Sequence, residues 1–458
     1  MNDKKDLTQG VIWKKMLFFF LPVAAGTIFQ QFYNTIDALI VGRNCGPLAL
    51  AAVGGSSSQI VNLIINGFIG LTNGAAIVVA QLYGAGERHR ISKAANSSMT
   101  FCAISGLIIG VLGVIFTPAM LAGMKTPLDT MPDAIVYLRY YFAGAAFILV
   151  FNMGSGVLRA CGDSRTPFVY LCATSVLHIF LDLVFVAWMK LGVLGVGLAT
   201  IVSNIFSAFI ILFKIYRADE CYRYDVLRPS IDRPLLGRMV GLGVPTGLES
   251  AMFGISNLIM QVAINSLGTI AVTGWTLSSK VDGFYWVTMN AVGATIMTFV
   301  GQNFGAGQMD RIKKGLKQGM VMFQIITLFF IVLLLAVSRQ AFALFMDSPN
   351  PEIVETGYMI IKIMVPPYFI WTIGQLYAGA LKGAGDARAA VILTAITICI
   401  FRVVYRFTVF AARPTLTVLS WSYPVSWLLM AIAMVARFRS GKWKENYWGK
   451  AKPAAEEN

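Results

Sequence analysis

The chain has 458 residues and a formal net charge of +15, yet 57% of its residues are hydrophobic and 13% are charged. An ordinary soluble domain carries roughly 25% charged residues, so this composition excludes a water-soluble globular fold. The apolar residues form long runs, such as 191–213 and 321–337. Because backbone groups in a bilayer must satisfy one another, runs longer than the ~9–11 residues of a barrel strand predict membrane-spanning helices.

The apolar runs predict an all-α integral membrane protein with twelve transmembrane helices. We place them at 14–40, 48–80, 94–118, 134–157, 167–189, 193–216, 238–266, 272–302, 315–340, 353–380, 389–411 and 414–437. Most of the 37 lysines and arginines fall in short segments on one side of the membrane in this arrangement. This bias predicts that both termini are cytoplasmic, and it argues against nucleic acid as the partner of the basic residues.

Two motifs occur in both halves of the chain. AQLYGAG at 80–86 recurs as GQNFGAG at 301–307, and LRACGD at 158–163 recurs as LKGAGD at 381–386. We infer that a six-helix unit was duplicated. The predicted parts are a tail (1–13), an N-lobe (14–216), a linker (217–237), a C-lobe (238–437) and a second tail (438–458). Because six is even, both lobes enter the membrane in the same sense, which predicts a pseudo-two-fold axis along the membrane normal and suits alternating access.

No motif indicates a bound cofactor. The glycine-rich loops lack the GxxxxGK[ST] pattern of a phosphate-binding loop, so an ATP-driven pump is not supported. We expect Gly84, Gly86, Gly305 and Gly307 to allow tight turns instead. The six cysteines have no metal-ligand spacing and predict neither a zinc site nor a disulfide framework.

The first predicted span carries a polar strip. Gln30, Tyr33, Asn34 and Asp37 fall at helical spacing on one face. Since a charged side chain at the bilayer centre costs at least ~2.5–3.5 kcal/mol, this face predicts an ion or substrate site in a cavity. A hydrogen bond that only holds helices together is the alternative.

The fifth predicted span contains Asp182, with His178 one turn earlier on the same face. Imidazole has an unperturbed pKa of ~6.5 and can carry a proton at physiological pH. The residue is therefore a candidate proton carrier. The alternative is a structural histidine bonded to Asp182 or to backbone.

The second half has fewer clear candidates. Glu249 lies in the seventh span, Lys280, Asp282 and Tyr285 in the eighth, and Arg402 in the eleventh. Arg402 is a candidate partner of Glu249 or Asp282, which predicts a structural ion pair. Substrate contact is the alternative, with the ring of Tyr285 offering a face for an organic cation.

With its two six-helix lobes, the repeated GAG loop, LRACGDSRTP at 158–167 and QFYNTID at 31–37, the sequence resembles the MATE family of multidrug and toxic-compound exporters, most closely its DinF-like bacterial branch. The resemblance covers about 14–437. It implies an antiporter, not an enzyme, that exports amphipathic, often cationic organic compounds across the bacterial cytoplasmic membrane in exchange for Na⁺ or H⁺. It implies a small-molecule organic substrate and contact with membrane lipids, with no cofactor besides the coupling ion and no obligate protein partner.

The resemblance also implies an ion-coupling cluster in the N-lobe. The family pattern falls on Asp37, Asn152, Asp182 and Thr200, and on His178 where the family has an amide. A Na⁺ ion, if that is the coupling ion, would bind at Asp37 and Asp182. The alternative function is a lipid-linked oligosaccharide flippase of the same wider superfamily, which typically has added spans or a strongly cationic central cavity.

Overall fold

The computed structural model describes residues 6–217, 222–224, 229–344 and 350–447, and over these ranges the regular structure is helical throughout. The helices are α1 Ile12–Gly54, α2 Ser56–Ala85, α3 Arg88–Gly123, α4 Met131–Ala143, α5 Ala145–Ala160, α6 Arg165–Trp188, α7 Gly192–Tyr216, α8 Arg233–Asn265, α9 Thr269–Gly305, α10 Met309–Leu344, α11 Pro351–Met364, α12 Tyr368–Gly383, α13 Ala387–Phe410 and α14 Leu416–Arg439. A short 3₁₀ helix, Lys442–Asn446, follows.

The prediction of an all-α membrane protein is confirmed. Within the described ranges, nine helices are long and apolar enough to cross a membrane, and the bent pairs α4/α5 and α11/α12 bring the number to eleven. The remaining predicted span, the eighth, lies on α9, a 37-residue helix whose Lys280 and Asp282 lower its mean hydropathy. The helical segments thus follow the predicted order along the chain.

Three predicted spans differ from simple rods, and glycine or proline accounts for each. The fourth span bends by 49° at Gly144, and the tenth bends by 51° where Pro366 and Pro367 separate α11 from α12. The first helix continues past its predicted end to Gly54, with a break at Gly46 (φ 84°) directly before Pro47. A left-handed glycine followed by proline at the start of a new helical turn redirects a chain without ending it.

The structure divides into two compact units. The N-terminal unit contains Leu21–Gly247, and the C-terminal unit contains Leu7–Phe20 together with the chain from Leu248 onward. Helices α1 and α8 each contribute to both units. The predicted lobe bounds are not decided by this division and stay a prediction. Residues 1–5, 218–221, 225–228 and 448–458, which include parts of the predicted tails and linker, lie outside the described residues.

Within the N-terminal unit, α2 and the first half of α8 pack with their backbones in close contact. A Cβ atom on Gly74 would lie 2.2 Å from Met239 O, and one on Gly70 would lie 2.2 Å from Gly247 N. These distances are too short for any side chain, so the small residues permit the approach, as they do in many membrane helix pairs.

The two repeated motifs adopt matching backbone conformations. Gly86 (φ 74°) and Gly307 (φ 71°) close the helices α2 and α9, and Gly162 (φ 85°) and Gly385 (φ 86°) follow α5 and α12. At all four positions the left-handed conformation favours glycine. The predicted tight turns occur at Gly86 and Gly307, whereas Gly84 and Gly305 remain in the last turns of α2 and α9.

Candidate ion and substrate site

A cavity of about 720 Å³, lined by polar and apolar side chains, lies in the N-terminal unit between α1, α2, α4, α5, α6 and α7. Residues that the sequence singled out line its wall: Gln30, Tyr33, Asn34, Asp37, Asn152, His178 and Thr200. Ligand pockets of ~300–1,000 Å³ hold drug-sized molecules. The polar strip of the first span therefore faces a space that is large enough for one organic solute.

His178 and Asp182 form a buried pair on α6. Their side chains are 5% and 0% exposed, and Nδ1 of His178 lies 2.8 Å from Oδ2 of Asp182. The ring nitrogen is not aligned with that oxygen as in a linear hydrogen bond, so the contact is mainly electrostatic. His178 lines the cavity and Asp182 does not. A solute in the cavity can contact the imidazole but not the Asp182 carboxylate.

The other ring nitrogen of His178 contacts Thr200. Nε2 lies 3.3 Å from Oγ1 of Thr200, whose hydroxyl donates to Val196 O at 2.8 Å. With that hydroxyl proton committed, Nε2 must carry the proton shared with Thr200.

Asp37 completes a three-residue cluster with His178 and Asp182, in which one ligand atom from each residue lies within 4.8 Å of the others. Among the described residues, no hydrogen-bond donor reaches Oδ1 of Asp37 or Oδ1 of Asp182. Two carboxylates this close repel strongly at low dielectric unless a cation or a proton accompanies them. The arrangement can bind one.

Neutral groups surround the cluster. The ring of Tyr33 packs edge-on against the His178 ring, with centroids 5.0 Å apart and an interplanar angle of 88°. The Asn152 amide donates to Ile148 O at 3.0 Å, which leaves its Oδ1 as an acceptor. Gln30 and Asn34 are exposed on the same polar strip. Tyr33 thus restrains the imidazole, while the amides offer polar contacts to a solute.

Directly after Asp182, α6 widens into a π-helical segment, Leu183–Trp188. Such segments are rare and often occur at functional sites. Alignment of the two repeats on Pro22 and Pro245 places Tyr405 opposite Asp182, and a π-helical segment, Arg406–Phe410, follows there too. The backbone irregularity is shared by both repeats, but the acid belongs to the first.

In the C-terminal unit the predicted charges have partners inside the protein. Glu249 accepts from Lys382 Nζ at 2.7 Å, with side chains 10% and 17% exposed. The prediction that Arg402 pairs with Glu249 or Asp282 is wrong. Arg402 donates from Nε to Ser426 Oγ at 3.1 Å, and its guanidinium lies 4.0 Å from the centre of the Tyr423 ring.

Asp282 is also satisfied internally. Its Oδ2 accepts from Tyr368 Oη at 2.8 Å and from Trp286 Nε1 at 3.2 Å. Tyr285 is fully buried and stacks on Tyr368 with centroids 3.9 Å apart, so one face of its ring is covered. Lys280 is exposed on α9. These contacts place Asp282 and Tyr285 in packed protein.

Three residues of these sites were missed at the level of sequence: Lys382, Tyr368 and Arg159, a basic residue that lines the N-terminal cavity. Arg159 and Lys382 occupy the same position of the repeated LRACGD and LKGAGD motifs. The repeat contained the signal, but the basic residues were interpreted as markers of topology. Tyr368 gave no signal, because a tyrosine among apolar residues is common in membrane helices.

A duplicated helical membrane protein with a drug-sized cavity in its first half is a membrane transporter in architecture. The sequence model of the MatE family matches the chain twice, over residues 22–184 and 245–408. The chain therefore belongs to the MATE family of efflux transporters, whose members are transporters and not enzymes. The double match begins at Pro22 and Pro245, in agreement with the repeat found in the sequence.

Characterised and named relatives cover most of the chain. The probable multidrug resistance protein YpnP of Bacillus subtilis is 25% identical over 96% of this chain and 97% of its own. YoeA of the same organism, also a probable multidrug resistance protein, is 26% identical over 82% of each chain. The multidrug export protein MepA of Staphylococcus aureus is 22% identical over 93% of each.

Solved structures share the fold. A MOP superfamily transporter from Pyrococcus furiosus, described as having a binding pocket of reverse polarity, superimposes with a TM-score of 0.89 and 22% identity, covering 97% of this chain and 99% of its own. An outward-facing multidrug resistance MATE transporter superimposes equally well, at 21% identity. At these identities the likeness supports the fold alone.

Proposed function

We propose that the protein is a cation-coupled antiporter that exports amphipathic, cationic organic compounds, including drugs, by alternating access. The observation that carries the proposal is the cluster of Asp37, His178 and Asp182 at the wall of a drug-sized cavity. The multidrug export described for the relatives supports it. We place the protein in the bacterial cytoplasmic membrane with both termini cytoplasmic, surrounded by lipid and working without an obligate protein partner.

Coupling follows from competition at one cluster. A buried pair of carboxylates needs a positive charge nearby, and either an organic cation next to Asp37 or a coupling ion supplies it. Arrival of the coupling ion therefore weakens the hold on the organic cation. Because Asp182 is shielded from the cavity, it takes part through His178 and through its proximity to Asp37.

We infer that the coupling ion is a proton. A Na⁺ ion would be held by oxygen atoms of Asp37, Asp182, Asn152 and Thr200. Two of these oxygens, on Asp182 and Thr200, already face the nitrogens of His178 at 2.8 and 3.3 Å. A proton needs no shell of oxygen ligands and fits the pair as it stands, since imidazole and carboxyl group exchange protons directly.

The test is flux of a fluorescent organic cation, rhodamine 123, in proteoliposomes with an imposed proton or Na⁺ gradient. We expect a proton gradient alone to drive uptake, and Asp37→Asn and Asp182→Asn to lower it at least tenfold. Asp129→Asn, an exposed acid in the loop before α4, is the matched control and is expected to be neutral. Undiminished proton-driven flux in both variants would refute the coupling site, and flux driven only by Na⁺ would reassign the ion.

The flippase alternative is judged in the same vesicles. The charged residues of the described cavity wall are Asp37, Arg159 and His178, a balanced set and not a strongly cationic one. We therefore expect no movement of a lipid-linked sugar. Movement of that lipid without any dye flux would establish the alternative.

A further inference from the structure

Arg159 is the basic residue at the last turn of α5, and its side chain lines the N-terminal cavity. Among the described residues, its guanidinium makes no hydrogen bond and no ion pair. A partly buried charge is costly unless it is paired or solvated. The cavity thus presents an unneutralised cation to whatever occupies it.

In the second repeat, the basic residue at the position of Arg159 is neutralised by an acid. Lys382, the counterpart of Arg159, is paired with Glu249 at 2.7 Å. Alignment on Pro22 and Pro245 places Gly26 opposite Glu249. The acid that closes the pair in the C-terminal unit is therefore missing from the first repeat, and Gly26 instead lines the cavity that Arg159 faces.

The position of Arg159 relative to the cluster suits a solute with two charges. Along α5, Arg159 lies seven residues from Asn152, which is ~10 Å at 1.5 Å per residue. Asp37, Asn152 and Arg159 line the same cavity, so side chains of opposite charge face one space. A drug-sized zwitterion spans such a distance.

We propose that Arg159 forms an anion subsite in the N-terminal cavity, and that preferred substrates are amphipathic zwitterions with a carboxylate or similar anionic group at Arg159 and a cationic group toward Asp37. This inference rests on the proposed export function and adds the substrate class. The planar guanidinium matches a carboxylate with two parallel N–H donors. A solute bound in this way neutralises both ends of the cavity at once, which a simple cation cannot do.

The experiment compares two dyes that differ in one group. Rhodamine 110 has a free carboxylate, and rhodamine 123 is its methyl ester. Binding to the purified full-length protein in phosphatidylcholine nanodiscs is followed by fluorescence anisotropy. We expect the wild type to bind rhodamine 110 more tightly, and Arg159→Gln to weaken rhodamine 110 about tenfold while changing rhodamine 123 less than twofold, as for loss of a charge-assisted hydrogen bond.

Two further variants separate a specific contact from a general effect of charge. Gly26→Glu installs the acid of the second repeat and is expected to weaken rhodamine 110 like Arg159→Gln. A Cβ at Gly26 would meet only side-chain carbons of Phe168 and Leu171, at 3.4 and 3.5 Å, so the residue can be accommodated. Arg165→Gln removes an exposed charge six residues further along the chain, and we expect it to leave both affinities unchanged.

Several results would overturn the proposal. The wild type binding both dyes alike, or Arg159→Gln weakening both dyes equally, would do so. The proposal would also fail if Arg159→Gln kept the dye preference of the wild type but lost a phospholipid that the wild type retains in native mass spectrometry. The anion at Arg159 would then be a lipid phosphate. The binding and transport experiments can fail independently. An Arg159-dependent dye preference without gradient-driven flux would support the anion subsite and refute the antiporter. Gradient-driven flux without a dye preference would support the antiporter and refute the subsite.

Discussion

The ion pair between Glu249 and Lys382 offers a sharp test of whether the C-terminal charges are structural or bind substrate. The two side chains are 10% and 17% exposed and lie 2.7 Å apart. Removing one partner of a buried pair leaves an uncompensated charge, which costs about 3–5 kcal/mol, whereas replacing both by apolar residues is often nearly neutral. Since both groups retain slight exposure, we expect the lower end, ~3 kcal/mol, for Lys382→Met or for Glu249→Met alone.

The double variant decides between the roles. We expect Glu249→Met with Lys382→Met to recover to within ~1 kcal/mol of the wild type, giving a coupling energy of several kcal/mol in a double-mutant cycle. Stability is measured by reversible unfolding in mixed detergent, and rhodamine 123 flux is measured on the same preparations. A structural pair predicts that flux recovers with stability. A stable double variant without flux would show that the pair takes part in transport, and simple additivity of the two single losses would refute the pairing argument itself.

The remaining predictions concern packing and hydrogen bonding, and urea or detergent unfolding measures all of them. Gly74→Ala is expected to destabilise the protein by at least ~1–3 kcal/mol, because its Cβ would lie 2.2 Å from the backbone oxygen of Met239. Gly67→Ala, whose Cβ would meet nothing within 4 Å, is its control and is expected to be neutral or slightly stabilising. Tyr368→Phe removes one of two donors to the buried Asp282 carboxylate and is expected to lower stability by ~1.5–3 kcal/mol. An unaffected Gly74→Ala would refute the close backbone contact, and an unaffected Tyr368→Phe the hydrogen bond.

The fold class could be predicted from the sequence because membrane insertion of a segment depends on its own composition. Long apolar runs predict helices whatever they pack against, and the order of segments followed from them. The bends could not be predicted so well. At Gly46 and Pro47 the sequence has the composition of a loop, but α1 continues beyond them to Gly54, because a glycine with positive φ and a proline in a first helical turn are compatible with helix on both sides.

The candidate site was predictable to the extent that its members interrupt apolar sequence. Asp37, His178 and Asp182 can be recognised from the sequence alone, because exposing any of them to lipid costs free energy. Pairing across the chain gives no such signal. Lys382 lies 133 residues from Glu249, and on the sequence it resembles any basic residue near a cytoplasmic helix end. Arg402 was the more conspicuous partner because it sits within an apolar run, but Ser426 and Tyr423 already accommodate it.

The two repeats differ in their buried charges. Both retain the glycines, the π-helical segment of the fifth span and the basic residue in the last turn of the fourth span. In the second repeat Glu249 neutralises that basic residue, and Tyr405 stands where the first has Asp182. The pairing of Glu249 with Lys382 removes one reason for the second repeat to bind an ion at that position. The first repeat lacks an acid at the position of Glu249 and keeps the carboxylates of Asp37 and Asp182. Its cavity therefore offers both a positive and a negative group to a solute.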